Sequence, residues 1–131
     1  MKVYLSSIEI LTHGPMSYYD LTDIIEEEVA RSNIEKGIVR VHAKGSTPGV
    51  FIARRNSLKQ IDEFIKNLIP VTGWKHGNAY AHLRSLVFGT GLSIPVFNRR
   101  ILLPREYRVY FVETRPVHSH RRTIYVVVTG E

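Results

Sequence analysis

The stretch Gly77-Asn78-Ala79-Tyr80-Ala81-His82-Leu83-Arg84-Ser85 sets an amide, an imidazole, a guanidinium and a hydroxyl along one short run. Asn78 is a good N-cap, and Ala79, Leu83, Leu86 and Val87 recur at helical spacing. Gly89 follows in a position to close the helix in a left-handed conformation. The spacing therefore predicts a short helix from Asn78 to Phe88. Its first turn would offer unpaired backbone N–H groups and a positive dipole end, with His82 and Arg84 further in, an arrangement that suits an anionic ligand. A capped core helix with a solvated arginine uses the same residues without any function.

Upstream, Ser57 followed by Gln60 makes a capping-box pattern, and Leu58, Ile61, Phe64, Ile65 and Leu68 form an amphipathic face ending before Pro70. This helix is expected to cover a sheet. Ser17 or Asp20 is expected to cap another helix whose apolar face is Leu21, Ile24, Ile25, Val29 and Ala30, running to about Ser32. Glu26, Glu27 and Glu28 are consecutive, so they fan around its outer surface and make no acid–base pair.

The remaining periodicity is that of strands. Lys2 to Thr12 alternates imperfectly, and the Ser6-Ser7 interruption predicts a bulge or kink. Ile38 to Ala43 alternates cleanly, with Val39, Val41 and Ala43 on one face and Ile38, Arg40 and His42 on the other. Lys44-Gly45-Ser46-Thr47-Pro48-Gly49 reads as a turn whose hydroxyls and N–H groups could meet an anion, before Val50 to Ala53 resumes a strand. Leu92 to Phe97 and Arg100 to Leu103 read as two strands joined around a tight Asn98-Arg99 turn, and Tyr107 to Thr114 alternates strongly, matched by Thr123 to Thr129. Strong apolar content on both sides of Tyr107 to Thr114 predicts cover on both faces. In the connection, His118 and His120 would share a face if extended, although Arg121-Arg122 beside them favours a plain hairpin loop.

Composition narrows the chemistry. The 131 residues are 44% hydrophobic, which suits one domain, residues 1–131, with a substantial core. Cysteine is absent, so disulfides, thiolate zinc sites and cysteine nucleophiles are excluded. No apolar run approaches membrane-spanning length and the N-terminus lacks a continuous signal-peptide core, so a soluble, cytoplasmic protein is expected. The net charge of +6 raises the question of polyanions. The arginines come in scattered pairs, Arg54-Arg55, Arg99-Arg100 and Arg121-Arg122, without any nucleic-acid-binding signature, so nucleic acid is not the expected partner.

The order of elements, the Asn78 to Ser85 run and the Leu92-Ser93-Ile94-Pro95-Val96 strand together resemble the YjbQ-like family over essentially the whole chain. That family's motif is an Asn-Ala-His-Ala-His-Leu run opening a short helix that ends in glycine, followed by a Leu-x-Ile-Pro-Val strand. The resemblance implies an α+β fold: an antiparallel β-sandwich of about seven to nine strands with two amphipathic helices and one short helix. It implies a homotrimer with pockets near subunit interfaces. It also implies a secondary thiamine-phosphate synthase activity, in which thiazole phosphate displaces pyrophosphate from a hydroxymethylpyrimidine diphosphate. On that pattern His82 is the catalytic acid or electrostatic stabiliser, Arg84 the phosphate clamp, and Ser46, Thr47, Asn78 and His76 the ligand-binding groups.

Three departures qualify the activity. Gly45-Ser46-Thr47 stands where the family has His-Thr-Thr, Tyr80 where it has the first His of the motif, and Pro104-Arg105-Glu106-Tyr107 where it has Gly-Thr-Trp-Gln. Two imidazoles are gone, so no metal set is expected, and no cofactor is indicated. The expected function is the binding of a phosphorylated metabolite or other anion near His82. The alternative is a transferase of the thiamine-phosphate synthase kind.

Overall fold

The computed structural model describes residues 1–131. Its strands are β1 (Lys2–Thr12), β2 (Ser17–Asp20), β3 (Lys36–Ala43), β4 (Gly49–Arg54), β5 (Gly91–Phe97), β6 (Arg100–Ile101), β7 (Tyr107–Glu113) and β8 (His120–Gly130). The helices are α1 (Thr22–Ser32), α2 (Leu58–Leu68) and α3 (Ala79–Phe88). Two antiparallel sheets result, one ordered β1-β8-β3-β5-β6 and the other β2-β7-β4, confirming the α+β sandwich. No helix is long and apolar enough to cross a membrane.

Alternation decides which residues meet. Val39, Val41 and Ala43 of β3, Ile94 and Val96 of β5, and Ile124, Val126 and Val128 of β8 form the inner face of the large sheet. They pack on Val50, Val109 and Phe111 of the small sheet and on Leu21, Ile25 and Val29 from α1 and its approach. The other face of the small sheet is also covered, as Val112 and Met16 pack against Ile65 of α2 with Phe51, Ile61 and Phe88 at the margin. β7 thus lies between two apolar layers, as its sequence predicts. The Asn98-Arg99 turn is tight, with φ of 53° and 63° at its two residues.

Three expectations are corrected. β1 contains no bulge: its register with β8 runs unbroken from Lys2 opposite Gly130 to Thr12 opposite His120. Ser6 simply occupies the inward row of Tyr4, Ile8 and Ile10, so a polar side chain there imitates a break in the pattern. Ser17 and Asp20 belong to a strand, and α1 begins only at Thr22, although Asp20 Oδ1 does accept the Thr22 N–H at 2.9 Å. Finally, α2 buries only Ile65 fully, leaving Phe64 60% and Leu68 53% exposed. Its apolar face is wider than the sheet surface beneath it.

Candidate functional site

α3 and the turn between β3 and β4 meet at one end of the sandwich. His82 lies in the second turn of α3, with Nδ1 3.2 Å from Ser46 Oγ and Nε2 3.4 Å from Asn78 Nδ2. Asn78 and His82 are four residues apart and so share a helix face. The Asn78 side chain makes no capping bond; it is spent on the imidazole. Both ring nitrogens are therefore engaged, each by a neutral polar group, and Ser46 Oγ can either donate or accept.

A buried polar network holds the turn in place. Ser85 donates to the Pro48 carbonyl at 2.6 Å, and Thr114 Oγ1 donates to the Thr47 carbonyl and toward that of Ala81 at 3.3 Å. Arg122 Nη2 donates to Thr47 Oγ1 at 2.8 Å. The same guanidinium is fixed to Glu113 by Nε to Oε1 at 2.7 Å and Nη2 to Oε2 at 2.6 Å. Thr12 adds a hydroxyl donor to Glu113 at 2.6 Å. Burial alone would push the Glu113 carboxyl up, but the bonds from Arg122 and Thr12 outweigh it and hold it below the usual carboxylate range. Arg122 Nη1 is left over from these bonds and stands 3.4 Å from where a Gly45 Cβ would be.

The remaining expected residues are placed differently. Thr47 is buried, and its hydroxyl serves Arg122. His76 is exposed on the 70–78 loop, where its carbonyl accepts the Ala79 N–H. Arg84 does not face the His82 cluster. Two residues along a helix rotate a side chain to nearly the opposite side, and Arg84 is only 2% exposed. Its Nε and Nη2 donate to the Ile69 carbonyl at 3.0 and 2.7 Å, and its guanidinium lies 5.1 Å from the Tyr80 ring centre. Burial lowers its pKa, countered by Tyr80, Asp62 and Tyr18. It anchors the end of α2, and a clamp on a ligand beside His82 is not what this placement makes. Tyr80 is turned the same way, packed with Ile69.

His118 and His120 do not converge either. The His118 ring lies 4.8 Å from that of His13, while His120 begins β8. No cluster of three or more His, Asp or Glu side chains is placed to hold a metal.

Arg122, Glu113 and Thr114 escaped the sequence reading because adjacent arginines look like a solvated loop. The available signal was parity: Arg122 continues the inward row Ile124, Val126, Val128, and Glu113 continues the inward row Val109, Phe111. Two opposite charges on inward rows of neighbouring sheets imply a buried pair.

With this geometry in place, comparison with known proteins decides the kinship. The family model described as "UPF0047 protein YjbQ-like" matches residues 6–131. The chain belongs to the YjbQ-like family. A UPF0047 protein of Methanothermobacter thermautotrophicus is 28% identical over 138 aligned positions, covering 100% of this chain and 95% of that one. Another from Archaeoglobus fulgidus is 32% identical, covering 72% of this chain and 78% of its own length. Among crystal structures, a YbjQ-like protein of unknown function from Sulfolobus solfataricus superposes with a TM-score of 0.92, at 28% identity and 99% coverage of both chains. A hypothetical protein from Aeropyrum pernix gives 0.89 at 28% identity, covering 98% of this chain and 99% of that one.

Proposed function

We propose that this YjbQ-like chain is a cytoplasmic protein that binds a phosphorylated metabolite, or another compact anion, at His82. Ser46 and Asn78 are its polar contacts, Arg122 Nη1 a spare N–H donor, and His76 borders it from the preceding loop. The observation that carries the reading is the contact of Ser46 Oγ with His82 Nδ1 at 3.2 Å, in a turn whose Gly45 has Arg122 Nη1 3.4 Å from its Cβ position. The Arg122–Glu113 pair is neutral as a unit, so what it offers an anion is the N–H of Nη1 without a competing bare carboxylate.

The site is open on a single chain, since the surface depressions lie elsewhere. α3 itself carries Leu86, 77% exposed, and the outer face of the large sheet carries Val3 and Leu5, 69% and 67% exposed. Two dissimilar apolar surfaces on one chain suit a head-to-tail ring, in which each covers the other, and a homotrimer supplies the missing wall.

The transferase alternative needs His82 to protonate a leaving pyrophosphate. No carboxylate bonds the His82 ring to hold it as a proton donor, its two contacts being Ser46 and Asn78, so binding is the better account. Calorimetry with phosphate, pyrophosphate and a small phosphomonoester tests it. His82→Ala and Ser46→Ala are expected to weaken binding about tenfold or more. A flat response to every anion would sink the reading. Pyrophosphate release from thiazole phosphate plus hydroxymethylpyrimidine diphosphate, lost in His82→Ala, would install the transferase in its place.

A further inference from the structure

The end of the sandwich opposite His82 gathers five arginines, Arg54, Arg55, Arg100, Arg105 and Arg108, among the carboxylates Asp23, Glu26 and Glu106. In the β4–β7 pair Gly49 lies opposite Val112 at the His82 end, and Arg54 lies opposite Tyr107 at the far end. Around that far end are three depressions of about 260, 220 and 370 Å³. The first shares Arg105 and Arg108 with the second, and the second shares Arg55 and Glu106 with the third. They form one continuous groove.

The arginines along this groove are unequally neutralised: Arg100 pairs with Glu26 at 3.4 Å, and the others share a carboxylate or lack one. Arg108 donates Nε to Asp20 at 2.7 Å and Nη2 to Asp23 at 3.1 Å. Arg55 Nη2 lies 3.7 Å from the same Asp20 oxygen, so one carboxylate oxygen serves two guanidiniums. Arg54 is fixed over the Tyr107 ring, 5.2 Å from its centre, with no carboxylate in reach. Arg105 has no ion pair at all, and Glu106 is the one lining carboxylate that no arginine engages.

We propose that this groove binds a short chain of linked phosphates, such as a triphosphate, and reads the phosphates alone. A row of guanidiniums with spare N–H donors matches successive phosphoryl groups, each of which accepts bidentate bonds. A base would find no platform, because the one aromatic ring in the lining, Tyr107, is already covered by Arg54. The groove is separate from the His82 site and does not depend on it.

The test is calorimetry of the full chain at about 50 mM salt with inorganic tripolyphosphate and with ATP. The expected result is similar affinity for the two. Arg55→Glu and Arg105→Glu, both on exposed side chains and checked by thermal melting, each weaken tripolyphosphate by about tenfold or more. Lys2→Glu, a charge reversal on the exposed edge of β1 outside the groove lining, leaves it unchanged, and raising the salt to about 300 mM weakens it. Absence of binding at low salt, indifference to both arginine variants, or an equal loss in Lys2→Glu would overturn the proposal. ATP binding far more tightly than tripolyphosphate, or a short single-stranded RNA displacing it at equal phosphate concentration, would overturn it too.

Discussion

Glu113 and Arg122 form a two-bonded ion pair inside the protein, at 2.7 and 2.6 Å, with Glu113 fully buried and Arg122 nearly so. The pair is also the underside of the candidate site, because Arg122 reaches past Glu113 to Thr47. Stability and binding are therefore separable here. Arg122→Met strands a buried carboxylate and is expected to cost about 3–5 kcal/mol in urea unfolding. Adding Glu113→Leu should recover most of that loss, since an apolar pair replaces a buried ion pair at little net cost. Phosphate binding should stay lost in the double variant.

Acid should expose the same pair. Glu113 has a depressed pKa in the folded chain, so its contribution is complete above the unfolded carboxylate value of about 4.3 and fades as pH falls through the folded value below it. Glu113→Gln should flatten the acid limb of a stability–pH curve. It should not abolish it, because Glu28, bonded by Tyr4, and Asp20, bonded by Arg108 against its burial, are depressed as well. An acid limb unchanged in Glu113→Gln would show that the pair contributes no pH-dependent stability.

Two glycines give opposite expectations. A Cβ on Gly49 would lie 2.7 Å from Phe88 Cβ and 2.8 Å from Val112 Cγ1, so Gly49→Ala should destabilise by about 1–3 kcal/mol by overpacking. Gly77 has nothing within 4 Å, and Gly77→Ala should be neutral or stabilising by up to about 1 kcal/mol. Thermal melting of the two variants side by side checks the contrast.

Tyr110 buries a hydroxyl that finds no partner in the chain. Tyr110→Phe removes that unpaired group while keeping the ring beside Phe51, so stability should hold or rise. A loss above about 1 kcal/mol on chemical unfolding would reveal a hydrogen bond to that oxygen.

Arg84 tests the distinction between anchor and clamp. Arg84→Met should lower stability by leaving the Ile69 carbonyl without its two donors, at about 1–3 kcal/mol, while anion affinity at His82 is retained. Affinity falling in step with His82→Ala would return Arg84 to the ligand.

How much of this was readable from the chain depends on the length scale of the information. Strands and helices announce themselves through local alternation and spacing, and both the sandwich and α2 are where those patterns put them. Ser6 misled because a polar residue can face inward when a partner such as Glu28 of α1 stands near it, a fact no window of β1 contains. The Ser46–His82 contact joins residues 36 positions apart and Arg122–Thr47 joins residues 75 apart, so neither could be measured along the sequence. Arg84 was within reach of a stricter reading, since helical rotation alone separates it from His82.

The two borders of the large sheet are unequal. β6 ends it with two residues, too few to recruit a neighbour, whereas β1 ends it with eleven, all paired on one side only. Along that open border the charges are Lys2 and Glu9, and the side chains between and beyond include Val3, Leu5 and Leu11, all turned to water. That border is thus a template for unwanted strand addition, and the charges of Lys2 and Glu9 are what the strand itself sets against it.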